Sequence, residues 1–271
     1  MNMYNSRKRK GPASHLIIVI LSFGLVAGCG LDSSTNNGPN DLDHPVRIMF
    51  IGNSLTGWGE TTAHFENLAD SAGIEVIIGS RAPNGASLGD HIESIETNEM
   101  IEQQQWHYIV LQGGGYLVAF PESLDVAAEP FEALQAIARN NWSETRFVLF
   151  MYWAMNPMPG DSYSFSEFSQ MLHDGSLLLA ERLGCMVAPV GWMWKRVVEN
   201  RPWIDLTKDD IHPNETGGYL QACVYFATIF QKSPVGNTYL GQIDSDVARY
   251  LQQVAADVVL NHRSRWRLPG Y

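Results

Sequence analysis

From Pro45 onward the chain alternates between short runs that are apolar almost throughout and longer stretches in which apolar residues recur every three or four positions. The short runs are Val46–Ile51, Ile74–Gly79, Tyr108–Gln112, Arg146–Trp153 and Cys185–Val190. A strand with one wet face alternates apolar and polar residues. Uniformly apolar runs suit strands covered on both faces of a parallel sheet. The longer stretches are Thr61–Ala72, Leu88–Gln104, Val126–Asn140, Phe165–Leu183, Glu215–Phe230 and Asp244–His262. In the last, Val247, Leu251, Val254 and Val258 share one helical face. Strand–helix alternation of this kind predicts one α/β domain, a three-layer α/β/α sandwich on a five-stranded parallel sheet, with no repeat and no second domain.

The first 44 residues do not fit that pattern. Arg7, Lys8, Arg9 and Lys10 form a basic segment, and Leu16 to Val26 is nearly all apolar. The small residues Ala27 and Gly28 precede Cys29. This is the layout of a secretion signal, too short to span a bilayer comfortably. Leu25-Val26-Ala27-Gly28-Cys29 resembles a bacterial lipobox, in which the cysteine becomes the lipid-bearing N-terminus after cleavage. The plainer alternative is an ordinary signal peptide with a cysteine at its cleavage site. Gly30 to His44 is rich in Ser, Asn, Asp and Gly and reads as a flexible tether. The expected organisation is a signal peptide over 1–28, a lipidated Cys29 with its tether over 29–44, and a folded domain over 45–271. It implies an exported protein anchored to a bacterial envelope membrane, the outer one where there are two.

Composition narrows the field only a little. At 45% hydrophobic and 17% charged the chain has ordinary globular proportions, and 271 residues can bury one sizeable core. The net charge of -11 argues against a nucleic-acid partner, because phosphate binding needs a basic surface. With Cys29 assigned to lipid, Cys185 and Cys223 remain, both among apolar neighbours. Two buried thiols are expected ahead of a bridge, although export would permit one. No Cys-x-x-Cys or paired-His spacing suggests zinc, and Gly113–Gly115 is not a phosphate loop, since no Gly-Lys-Ser/Thr follows.

Ligands of open parallel sheets bind beyond the C-terminal ends of the strands, so the residues there matter most. The first run ends in Ile51-Gly52-Asn53-Ser54-Leu55. A serine after a tight turn, at the start of a helix, is held out into the crevice; alone, it could equally be a helix cap. Late in the chain, Lys208-Asp209-Asp210-Ile211-His212-Pro213 places an Asp three residues before a His. That spacing lets the carboxylate reach back to the imidazole, as the third member of a triad does. On its own it is equally a solvated acidic turn.

Together, Ser54 after the first strand and Asp209-x-x-His212-Pro213 before a late helix resemble the first and fifth sequence blocks of the SGNH (GDSL-type) hydrolases. Pro83-Asn84-Gly85-Ala86-Ser87-Leu88 resembles the second block, and Val110-Leu111-Gln112-Gly113 stands where the third falls. The similarity runs from Pro45 to about His262. It implies a flavodoxin-like strand order, a Ser54–His212–Asp209 triad, an oxyanion hole from Ser54, Gly85 and Gln112, and neither metal nor cofactor. The chain departs from the family in two places. The first block reads Gly-Asn-Ser rather than Gly-Asp-Ser, and the third carries Gln112 where the family has an Asn. Gln112 offers the same amide donor on a longer arm.

The resemblance implies ester hydrolysis, with acetylated polysaccharide, a peptidoglycan O-acetyl group, a phospholipid and a small ester all open as substrates. The tether at the envelope, the lack of an amphipathic lid and the aromatics near the strand ends favour a short acyl group, acetyl by preference, on a carbohydrate. A lipase or thioesterase of this or the α/β-hydrolase fold is one alternative; the latter fold expects Gly-x-Ser-x-Gly, and Thr56 stands two residues after Ser54. A non-catalytic glycan-binding lipoprotein is the other. Trp58, Tyr116, Trp153, Trp192 and Trp194 fall near strand ends and could stack on sugars, or could simply be buried. His91, in the helix after Gly85, reads as a surface residue, with a place in the pocket wall as the alternative. The sequons at Asn141 and Asn214 carry no weight beside a lipobox.

Overall fold

A computed structural model describes residues 45–156 and 162–270. The residues read as a signal segment and a tether, with Cys29 between them, lie outside the described residues. Five strands, β1 (Val46–Ile51), β2 (Val76–Arg81), β3 (Tyr108–Leu111), β4 (Arg146–Phe150) and β5 (Met186–Ala188), pair in parallel in the order β2-β1-β3-β4-β5. This is the flavodoxin-like order, with its crevice where the chain reverses direction between β1 and β3. The three-layer α/β/α architecture read from the apolar pattern is the one observed.

β1, β3, β4 and β5 carry the uniformly apolar runs, and nearly all of their residues are buried. β2, an edge strand paired only with β1, leaves Ile77 exposed, whereas the other edge strand, β5, is covered by the C-terminal segment, the Val187 N–H donating to the Trp266 carbonyl at 3.0 Å. β2 also begins two residues later than expected. The N–H of Ile74 still closes the preceding helix on the Ala69 carbonyl, so pairing starts at Val46 opposite Val76.

The connecting helices are α1 (Ser54–Gly57), α2 (Thr61–Ser71), α3 (Leu88–Glu93), α4 (Ile95–Gln103), α5 (Leu124–Asn141), α6 (Phe165–Leu183), α7 (Val190–Asn200), α8 (Glu215–Phe230) and α9 (Ser245–Leu260). The stretch Leu88–Gln104, read as one helix, is two. Ser94 takes an extended conformation (ψ 120°), and its hydroxyl caps α4 by accepting from the Thr97 N–H at 3.2 Å. A side chain that bonds the backbone locally favours a cap over a helix interior. The last residue of the expected fifth strand, Val190, instead opens α7, which buries Val190, Met193, Trp194 and Val197 at helical spacing. α8 is buried along almost its whole length from Gly217. Cys185 and Cys223 are free and buried.

Candidate active site

β1 ends against α1, and Ser54 is the first helical residue of that turn. Asn53 caps it by accepting from the Leu55 N–H at 3.1 Å. The Asn53 amide also donates to the Ala86 carbonyl at 3.1 Å, tying the turn to the loop after β2. An aspartate there could cap but could not donate, which gives Asn53 a physical role in place of the family Asp. Under the turn, His91 donates from Nε2 to the Gly52 carbonyl at 2.8 Å and meets Thr97 Oγ1 at 2.9 Å through Nδ1. His91 is therefore a buried strut beneath the serine turn rather than a surface residue. Burial lowers its pKa below the ordinary value.

Residues 205–214 form a tight loop before α8, closed by a bridge between Thr207 and Pro213 and by the Lys208 N–H on the His212 carbonyl at 2.8 Å. Asp210 sits at its tip with φ 67°. Asp209 turns inward. Its Oδ1 accepts from the His212 backbone N–H at 2.8 Å, and its two oxygens lie 3.0 and 2.9 Å from His212 Nδ1. The backbone bond, followed by the imidazole bond, holds the Asp209 pKa below its ordinary value. His212 Nε2 lies 2.9 Å from Ser54 Oγ. Ser54, His212 and Asp209 thus form one hydrogen-bonded line, although 158 residues separate the first two. Asp210 does not take part in it and instead borders a cleft with Trp153 and Trp203.

Trp58 lies flat on His212, with ring centroids 4.1 Å apart at 27°. Its indole N–H donates to Asn84 Oδ1 at 3.0 Å, next to Gly85. Gly85 has φ 73°, a left-handed conformation open to glycine without strain. Among the described residues no group accepts from the N–H of Ser54 or Gly85. Gln112 is buried, and its amide points elsewhere. Oε1 accepts from the Asn53 N–H at 2.7 Å and from Thr56 Oγ1 at 3.2 Å, while Nε2 donates to the Tyr152 hydroxyl.

Two clefts flank the serine. One, of about 440 Å³, is bordered by Asn53, Gly85, Gly113 and Tyr152. The other, of about 260 Å³, is walled by Leu55, Tyr116, Trp153, Met155 and Ile211. Of the aromatics singled out from sequence, Trp153 and Trp194 are buried and stacked on each other at 4.1 Å, and Trp192 packs on His173. Trp58 and Tyr116 are half-buried near the serine. Asn141 and Asn214 are engaged in the fold, each donating to two backbone carbonyls. Among the described residues no cluster of His, Cys, Asp or Glu could hold a metal, and no helix is long and apolar enough to cross a membrane.

This site stands on the fold of the SGNH hydrolases. The structure superposes on a DUF4886 family protein of Bacteroides uniformis with a TM-score of 0.69, at 18% identity over 79% of this chain and 95% of that one. A protein of Parabacteroides merdae described as a GDSL-like lipase matches at 0.55, with 17% identity over 71% and 99% of the two chains. An acetyl-xylooligosaccharide esterase of Geobacillus, Axe2, matches at 0.51, with 15% identity over 68% and 94%. At such identities the likeness is one of fold. No family model and no curated protein matches the sequence.

Proposed function

We infer that the chain is a serine ester hydrolase. The observation that carries this reading is the unbroken line from Ser54 Oγ through His212 to Asp209, with bonds of 2.9 Å at both ends of the imidazole. His212 Nε2 takes the Ser54 proton as Oγ attacks the ester carbonyl, and Asp209 fixes the tautomer and stabilises the imidazolium. The unpaired N–H groups of Ser54 and Gly85 receive the negative charge that develops on the carbonyl oxygen. The imidazolium then protonates the departing alcohol, leaving an acyl-serine. Water, deprotonated by the same imidazole, releases the acid and restores the serine.

The preferred substrate in this reading is a short acyl ester, acetyl by preference, on a carbohydrate. A structural neighbour named as an acetyl-xylooligosaccharide esterase supports it, as does the tether that would hold the domain at the envelope through Cys29. A longer acyl chain is favoured by one observation, the apolar cleft of about 260 Å³ beside Leu55 and Ile211. Turnover of acetyl, butyryl and palmitoyl aryl esters separates the two, followed by acetate release from acetylated xylan. A fluorophosphonate probe should label the wild type and not Ser54→Ala. A wild-type protein that neither labels nor hydrolyses any of these esters would be the non-catalytic binding module.

A further inference from the structure

We propose that the Tyr152 hydroxyl is a donor of the oxyanion hole, aimed at the substrate carbonyl by Gln112. The role rests on the ester-hydrolase reading, and the argument for it is one of hydrogen-bond polarity. The Asn53 backbone N–H can only donate, so the Gln112 atom 2.7 Å from it is the carbonyl oxygen. The same oxygen receives the Thr56 hydroxyl. The other end of the carboxamide is then the NH₂ group, which donates to Tyr152. Tyr152 therefore spends an acceptor site on Gln112 and keeps its own proton for another acceptor. The Gly115 backbone N–H, donating to the same hydroxyl oxygen, also favours the ionised phenol, but burial outweighs both and pushes the pKa up to about 12. The proton stays on the phenol throughout the range in which a histidine base works.

Position supports the role. Tyr152 follows β4, and β3 alone separates β4 from β1. Neighbouring strands lie about 4.8 Å apart, so a tyrosine leaning from the end of β4 reaches over β3 and points toward the end of β1 without spanning to it. Gln112, at the end of β3, bridges the gap, touching the residue before the nucleophile with one atom and Tyr152 with the other. Asn53 borders the larger cleft and Leu55 the apolar one, so Ser54 stands between the two. Tyr152 borders both clefts. An ester with its acyl part in one cleft and its alcohol in the other carries its carbonyl past this hydroxyl.

The test compares wild type, Ser54→Ala, Tyr152→Phe, Gln112→Glu and the Tyr152/Gln112 double variant on phenyl acetate, with thermal unfolding as a control on folding. Loss of one such donor lowers kcat by about 10²–10³, and Tyr152→Phe should do so with KM nearly unchanged. In Gln112→Glu the ionised carboxylate still accepts from Asn53 but now also accepts from Tyr152, turning the phenolic proton away from the substrate. Gln112→Glu should therefore show a similar loss, and the double variant should be no worse than either single one. A purely structural role would move stability, or KM, and would give additive losses. Tyr152→Phe with a wild-type kcat overturns the role. Should that variant fail to fold, Gln112→Glu decides, and full activity there overturns it. Absence of Ser54-dependent turnover in the wild type refutes the hydrolase reading itself and this role with it.

Discussion

Trp58 and Asn53 show how single residues tie together loops that the chain order keeps apart. Trp58 covers one face of His212 and bonds Asn84 beside Gly85, so it couples the proposed base to the proposed oxyanion loop. Ring stacking is worth about 0.5–1.5 kcal/mol beyond burial. Trp58→Ala should lower kcat on an aryl acetate by about tenfold, and Trp58→Phe, which keeps the stack, by less. Full activity in the alanine variant would show that His212 needs no such support. Asn53→Asp, which installs the Asp of the SGNH block that this turn resembles, loses the donor to Ala86 and sets a carboxylate against a carbonyl. It should cost about 1–3 kcal/mol in urea unfolding, and an unchanged midpoint would contradict the part given to Asn53. At this scale the sequence discloses what is local. Asp209 and His212 are three residues apart, and Ser54 follows a recognisable turn. Trp58, Tyr152 and His91 depend on partners that only the strand order brings near, and no spacing announces them. The donor of Gln112 is equally opaque from sequence, since its direction is set by the Asn53 N–H in the turn after the neighbouring strand β1.

Among the elements, α8 carries the largest burden. It starts directly after the loop holding Asp209 and His212, and it crosses the loop after α1 so closely that a Cβ on Gly218 would lie 1.6 Å from the Gly59 carbonyl oxygen. That neighbour is backbone and cannot swing away. Gly218→Ala should destabilise the protein by about 1–3 kcal/mol, as overpacking does, and should also depress turnover by moving His212 away from Ser54. Urea midpoints and kcat measured on the same preparation check both effects; a stable, fully active variant would mean that the two loops are not clamped here. The apolar pattern reveals α8 and the buried strands because burial on all sides leaves no polar interruption. It mistakes the start of α7 for strand because β5 has only three residues and runs almost directly into it. The helical spacing Val190, Met193, Trp194, Val197 is the signal that separates them. It joins α3 to α4 because the break at Ser94 rests on one hydroxyl cap.

For the whole molecule, one prediction tests the proposed lipid anchor and another follows from how the fold titrates. Cys29→Ser should move the protein from the membrane fraction to the soluble one, and lack of lipid mass on the wild-type N-terminus would remove the anchor from the account. Acid stability has a separate origin. His64 and His91 are both buried, and desolvation lowers both pKa values below 6.5, against partial opposition from Glu215 and Glu60 at His64 and from the Gly52 bond at His91. The unfolded chain then takes up protons at a higher pH than the folded one. Stability from keeping these rings neutral is complete above about pH 6.5 and is lost as pH falls toward the lowered folded values. Asp90, Glu96, Glu167 and Asp209 are lowered from 3.8 or 4.5 and act in the same direction, but only in a more acid window. Urea midpoints should thus be level between pH 8 and 7 and already declining by pH 5.5, before the carboxylates contribute. His91→Gln keeps a donor for the Gly52 carbonyl but cannot titrate, so it should flatten that decline. An equally steep decline in His91→Gln would assign the loss to His64 or to the surface, and a midpoint constant down to pH 5 would remove the histidines from the explanation.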